Sequence, residues 1–198
     1  MKTKAEEYYK DWSQRTEIAE AMVPIIGDLY RNRGVITTIY GRKLNNRKPI
    51  GILRAHRFAR QIIESEISVR DSFPVLQALS KLDLAPCKID LGKLTTAFMQ
   101  KPQGTDVIAF VNTQLDSINT GSAPVLNQPR DVVLYGFGRI GRLLARILIE
   151  QTGGGDKLRL RAAVVRKGSE DDLIKRASLL RRDSVHGRFN GVIQIDKE

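Results

Sequence analysis

The residues with the most specific chemistry in this chain are three glycines, Gly136, Gly138 and Gly141, spaced G-x-G-x-x-G. They follow the apolar run VVLY and open a segment in which Ile140, Leu143, Leu144, Ile147 and Leu148 recur at helical spacing. A strand, a glycine turn and a helix in that order form the setting a dinucleotide fingerprint requires. The first glycine permits a tight turn, the second lets main chain approach a pyrophosphate, and the third lets the helix pack close on the strand. Unpaired N–H groups at the helix start, with the positive end of its dipole, then face the diphosphate. The same spacing also occurs in strand-to-helix turns that hold no ligand. The flanking strand, the helix and a second apolar run at the expected distance favour binding.

That second run, LRLRAAVV, ends in Arg166, Lys167, Gly168 and Ser169. In the usual arrangement an acid near this point bonds the adenine ribose, and a basic residue there accommodates a 2′-phosphate. Arg166 and Lys167 supply charge where NADP carries its extra phosphate, so the expected cofactor is NAD or NADP. The plainer alternative makes both residues solvated loop cations.

The elements that must position these groups are legible around them. GGGDK ends the first helix, EDDLIKRASLLRR has a helical pattern, and GVIQI reads as the start of a third strand. Strand, helix, strand implies a parallel pair joined by a right-handed crossover. Upstream the text is different. Helical patterns cover the segment from Ala5 to the Gly34 stop, then 50–66, 73–82, 91–100 and 106–118, with Pro24 placed to kink or split the first. In the second, Ile52, Leu53, Phe58, Ile62 and Ile63 are expected inward, and the arginines outward. VITTIYG is β-branched and reads as a short strand or an extended connector. From Ser117 the sequence SINTGSAPVLNQPR is rich in Ser, Asn, Gly and Pro and reads as a linker. The expected division is therefore a helical N-terminal extension over 1–116, a linker over 117–130 and, over 131–198, the beginning of an α/β Rossmann dinucleotide-binding domain.

Composition bounds the function. The 198 residues are 41% hydrophobic, with no apolar run of membrane-spanning length and a charged N-terminus lacking an apolar core, so a cytoplasmic chain is expected. The single cysteine, Cys87, cannot form an internal disulfide and reads as a structural thiol. His56, among arginines, reads as a surface or interface residue, and His186 as the donor or acceptor of a structural hydrogen bond. A net charge of +11 raises the question of a polyanionic partner. Nine cations between residues 31 and 60 meet no acid in that stretch. No RNA- or DNA-reading motif accompanies them, so a basic adaptor or nucleic-acid-binding protein is the second reading.

Y-G-F-G-R-I-G-R at 135–142, followed by D-S-V-H-G-R-F at 183–189, resembles the N-terminal part of glyceraldehyde-3-phosphate dehydrogenases in wording and order. The resemblance covers about 131–198, and the preceding residues look like the helical extension of a long bacterial variant. It implies that Gly136, Phe137 and Gly138 form the turn, and that Arg139 and Ile140, with Gly141 behind them, touch the cofactor pyrophosphate from the helix start. It also implies a homotetramer that oxidises an aldehyde phosphate with inorganic phosphate and NAD or NADP, with no membrane and no nucleic acid as partner. The family's usual Asn is Tyr135 here, and Arg166 and Lys167 replace its Asn-Asp pair. Its nucleophilic cysteine and catalytic histidine are expected beyond residue 198, so this stretch holds no catalytic and no metal-binding residue. Erythrose-4-phosphate dehydrogenase is the close rival within the class.

Overall fold

The computed structural model describes residues 3–121, 128–151, 158–166 and 168–196, and the chain divides into two compact units, Met1–Val125 and Leu126–Glu198.

The first unit is helical around a small mixed sheet. Its first helix, α1 (Lys4–Arg33), buries Ala19, Met22, Ile26 and Leu29 along one stripe. Pro24 does not split the helix: it and Glu20, whose carbonyl it leaves without its i+4 donor, both lie on the exposed face, where water can serve that carbonyl. Gly34 ends the helix at φ 68°, with its own N–H donating to Tyr30 O and that of Val35 to Leu29 O.

Strand β1 (Ile36–Ile39) then pairs antiparallel with β2 (Arg42–Lys43) through a two-residue turn in which Tyr40 and Gly41 both have positive φ. It also pairs in parallel with β3 (Lys88–Asp90), giving the order β2-β1-β3. Helices α2 (Pro49–Ile63), α3 (Val69–Leu79), α4 (Leu91–Met99) and α5 (Val107–Gln114) complete the unit. Two of the sheet's strands, β2 and β3, fall where the sequence reading assigns no element, because two or three residues are too few to show alternation.

Two expectations on α2 are corrected. Ile62 is 50% exposed, whereas His56 is 1% exposed and belongs to the core. The buried stripe is Ile52, His56 and Ala59, one turn apart each time, and Ile62 is rotated off it. His56 is accommodated because both ring nitrogens are satisfied: Nδ1 lies 2.8 Å from Ile52 O and Nε2 lies 2.7 Å from Ser72 Oγ. Nδ1–H therefore donates to the carbonyl, and Nε2 accepts the Ser72 hydroxyl. Burial holds the ring below its ordinary pKa, as does Arg15, against the Ile52 hydrogen bond and Asp71.

Where the extension meets the stretch read as linker, Asp116–Ile118 is a 3-10 turn, and Ala85 N donates to Ile118 O, Asp83 N to Asn119 Oδ1, and Gly121 N to Asp83 O. Residues up to 121 are thus held on the helical unit, while 122–127 lie outside the described residues.

The second unit begins with β4 (Arg130–Tyr135), α6 (Arg139–Gln151) and β5 (Leu158–Val164). β4 and β5 are parallel, in register from Arg130↔Leu158 to Tyr135↔Val164 with a bulge between Val132 and Val133. α7 (Glu170–Arg181) leads into a short antiparallel pair, β6 (Arg182–Asp183) and β7 (Gly187–Arg188). The third strand expected at GVIQI is not formed. Residues 191–196 carry no ladder; they are held by Arg181 Nη2 donating to Ile193 O, and Val192 is 86% exposed. β-branched composition gives a segment the capacity for a strand, but only a partner edge makes one.

Candidate functional site

The three glycines occupy three different environments, one for each mechanical task. Gly136 has φ 97°, a conformation L-residues rarely adopt, and its N–H donates to Val164 O, so the turn begins while still tied to β5. At Gly141 a side chain would come within 2.5 Å of Gly136 O, so only a glycine lets the helix approach this closely. A Cβ on Gly138 would meet nothing within 4 Å: neither its own backbone nor its neighbours demand a glycine there. The space above it is an open cradle at the start of α6, fit for a group such as a diphosphate that needs main-chain approach.

Arg142, on the first turn of α6, donates from Nη1 to Phe137 O at 3.3 Å and so braces the turn. Its Nε is buried without a partner among the described residues.

Beside the turn lies an open cleft of about 490 Å³ lined by Tyr135, Gly136, Phe137, Val164, Val165, Arg166 and Arg176. Tyr135 ends β4 and Val164 ends the parallel β5, so the cleft opens at the carboxyl edge of the pair, where ligands of open α/β sheets bind. Of the residues singled out in sequence, Gly136, Phe137 and Arg166 share this cleft. Gly138, Arg139, Ile140 and Gly141 build the turn and first helical turn beside it, with Arg139 exposed and Ile140 75% exposed. Lys167 lies outside the described residues.

Sequence reasoning missed two groups here. Arg176 reaches the cleft from α7. Asp172 folds its carboxylate over Gly168, so closely that a side chain at 168 would collide with it. An acid therefore reaches the loop after β5 from the next helix, although none stands at the strand end. The helical period was the available signal: Asp172 is in the first turn of α7, next to that loop, and Arg176 is one turn further on.

The D-S-V-H-G-R-F segment is a fastened hairpin. Asp183 accepts from the N–H groups of Val185 and His186, both at 2.9 Å, and lies 3.1 Å from His186 Nδ1. These bonds hold its carboxyl well below the usual range. Arg146 of α6, only 6% exposed, donates to Leu180 O through Nε and Nη2 at 3.1 and 2.5 Å and to Gly187 O through Nη1 at 3.0 Å. The helix after the glycine turn is thus joined to the end of α7 and to the hairpin by one guanidinium.

Away from this unit, Cys87 is half-buried and burial raises its pKa, which favours the unreactive thiol. Among the described residues no group of three or more His, Cys, Asp or Glu is placed to hold a metal, and no helix is long and apolar enough to cross a membrane.

Residues 130–198 match the family model described as glyceraldehyde 3-phosphate dehydrogenase, NAD binding domain. A glyceraldehyde-3-phosphate dehydrogenase-like protein of Pseudomonas aeruginosa (strain UCBPP-PA14) is 56% identical over 179 residues, which is 89% of this chain and 39% of that protein. An alignment of that length runs through most of the helical unit too, and the chain spans about two fifths of that relative's length. The open cradle at Gly138, the carboxyl-edge cleft and both similarities agree: the chain belongs to the glyceraldehyde-3-phosphate dehydrogenase family, with that family's NAD-binding domain beginning at Arg130.

Proposed function

We propose that the 1–116 extension and the linker over 117–130 precede the cofactor-binding start of a phosphorylating aldehyde dehydrogenase. Its substrates in a full-length protein are glyceraldehyde 3-phosphate and inorganic phosphate, in a cytoplasmic homo-oligomer serving glycolysis or gluconeogenesis. The observation that carries this reading is the empty space over Gly138 at the head of α6. The main-chain amides at the start of α6 would hold a diphosphate there, and the cleft that includes Val164 and Val165 would take the adenosine half. Gly136, Phe137, Gly138, Arg139, Ile140 and Gly141 hold the diphosphate in this reading. Arg166 and Arg176 would lie at the ribose end; Lys167, expected there from the sequence, is outside the described residues. When bound, NAD supplies the hydride acceptor; the residues present here bind and orient it.

Both cofactors suit the ribose end. Asp172 offers a carboxylate to a 2′-hydroxyl, and the two arginines of the cleft offer charge to a 2′-phosphate. Replacing Arg166 and Arg176 together by Ala weakens NADP more than NAD, by about 1–3 kcal/mol in difference; equal loss removes the phosphate role. Titration of the chain with NAD and NADP is the direct test. Absence of saturable binding of either, together with steeply salt-dependent binding of single-stranded nucleic acid, overturns the reading in favour of a basic adaptor. Assay of a full-length protein with glyceraldehyde 3-phosphate and erythrose 4-phosphate separates the two aldehydes.

A further inference from the structure

The helical unit carries a second concavity with a different chemistry. It encloses about 360 Å³, within the range of small-molecule sites. Arg42 and Lys43 come from β2, Arg47 from the following turn, and Arg54 and Arg57 from successive turns of α2, with Phe58 at the wall. No carboxylate lines it.

Of the five other arginines of the same unit, Arg15, Arg33 and Arg70 are paired, and Arg31 and Arg60 form no ion pair among the described residues. Arg15 meets Glu66 at 3.1 Å, Arg70 meets Asp11 at 2.7 Å, and Arg33 approaches Asp28 at 3.9 Å. None of the five cations of the concavity forms an ion pair among the described residues. Converging like charges repel one another, so the arrangement is uncompensated until an anion enters.

Two of the guanidiniums are held in place beforehand. That of Arg42 lies over the Phe58 ring, 3.9 Å from its centroid, a cation–π contact that restrains its position. Arg47 donates from Nε to Lys43 O at 3.3 Å, and its stem packs over Gly51, where a Cβ would stand 3.4 Å away. Arginine forks fixed in this way match phosphate oxygens bidentately.

We infer that this concavity binds a small anion carrying two or more linked phosphates, such as a nucleoside triphosphate or an inorganic polyphosphate, separately from the dinucleotide cleft. The charges converge on one hollow instead of forming a track, and the one aromatic ring is already covered by Arg42. A single-stranded nucleic acid groove needs the opposite: an extended stripe with open aromatic platforms.

The test is calorimetric titration of the whole chain with inorganic tripolyphosphate, ATP and adenosine. Tripolyphosphate and ATP are expected to saturate one site per chain, with affinity falling as salt rises, and adenosine to show none. Tighter binding of ATP than of tripolyphosphate identifies a nucleotide as the source; equal binding identifies the polyphosphate itself. The double variant R54E/R57E, and the milder R54A/R57A, change only exposed side chains. R54E/R57E is expected to weaken both ligands by about a hundredfold at an unchanged thermal midpoint. Gly138→Ala, in the other cleft, leaves tripolyphosphate binding as it was. The proposal is overturned if tripolyphosphate fails to saturate by about 1 mM, or if neither charge variant changes its affinity. It is also overturned if a single-stranded RNA of about 20 nucleotides displaces it with far higher affinity.

Discussion

At the scale of single residues, the glycine turn separates folding from binding. Gly136→Ala places a side chain at φ 97°, and Gly141→Ala drives a Cβ against Gly136 O. Each is expected to destabilise the second unit by about 1–3 kcal/mol, read from denaturant unfolding. Gly138→Ala meets nothing in the protein and leaves that transition in place, yet it fills the cradle. NAD affinity in that variant falls about tenfold or more. A Gly138→Ala chain that binds NAD as the parent does would separate this turn from the cofactor. His56 provides a contrasting case in the first unit. Its folded pKa lies below the ordinary 6.5, so the unfolded chain takes up the proton first as pH falls. Stability is therefore full above about 6.5, drops as pH falls towards the folded value, and then levels off. Comparing unfolding of the parent and of His56→Gln at about pH 7.5 and about pH 5.5 isolates that loss, which the variant lacks. Ser72→Ala strands the ring nitrogen it serves and costs about 1–3 kcal/mol.

At the scale of elements, long helices and the strand–turn–helix core were legible because periodicity and turn chemistry act locally. The α6 pattern and the VVLY and LRLRAAVV runs appear where the sequence places them, as α6, β4 and β5. What escaped depended on distant partners. β3 exists because residues 88–90 lie beside β1, and the run at 191–195 lacks such an edge. His56 reads as a surface residue until Ser72, on the next helix, is known to face it. Within the site, the glycine jobs were legible, whereas Asp172 and Arg176 arrive from a helix whose packing is not a local property. Arg146 belongs to the same class, since its partners lie 34 and 41 residues away. Arg146→Met keeps the stem and removes the three donated bonds, leaving Leu180 and Gly187 carbonyls unserved. A loss of about 2–3 kcal/mol in the second unit is expected, with the His186 amide proton exchanging faster as the hairpin loosens; an unchanged midpoint would show the clamp to be idle.

At the scale of the whole molecule, two units with their own packing predict two calorimetric transitions. Saturating NAD is expected to raise only the transition lowered by Gly141→Ala, by mass action on the unit that binds it. Tripolyphosphate should raise only the other, so the two ligands report on separate halves. Movement of both transitions by either ligand would contradict independent sites. The second unit also leaves apolar side chains open, with Tyr135 93% exposed and Val133, Ile147 and Leu173 substantially so. A hydrophobic dye is expected to bind there.

The guanidinium of Arg146 has a consequence for protein engineering. Because it bolts the helix after the glycine turn to carbonyls at Leu180 and Gly187, that helix, the end of α7 and the hairpin are expected to move as one piece. Transplanting the glycine segment alone would move the cradle without its anchor, and a successful graft must carry the distal hairpin with it.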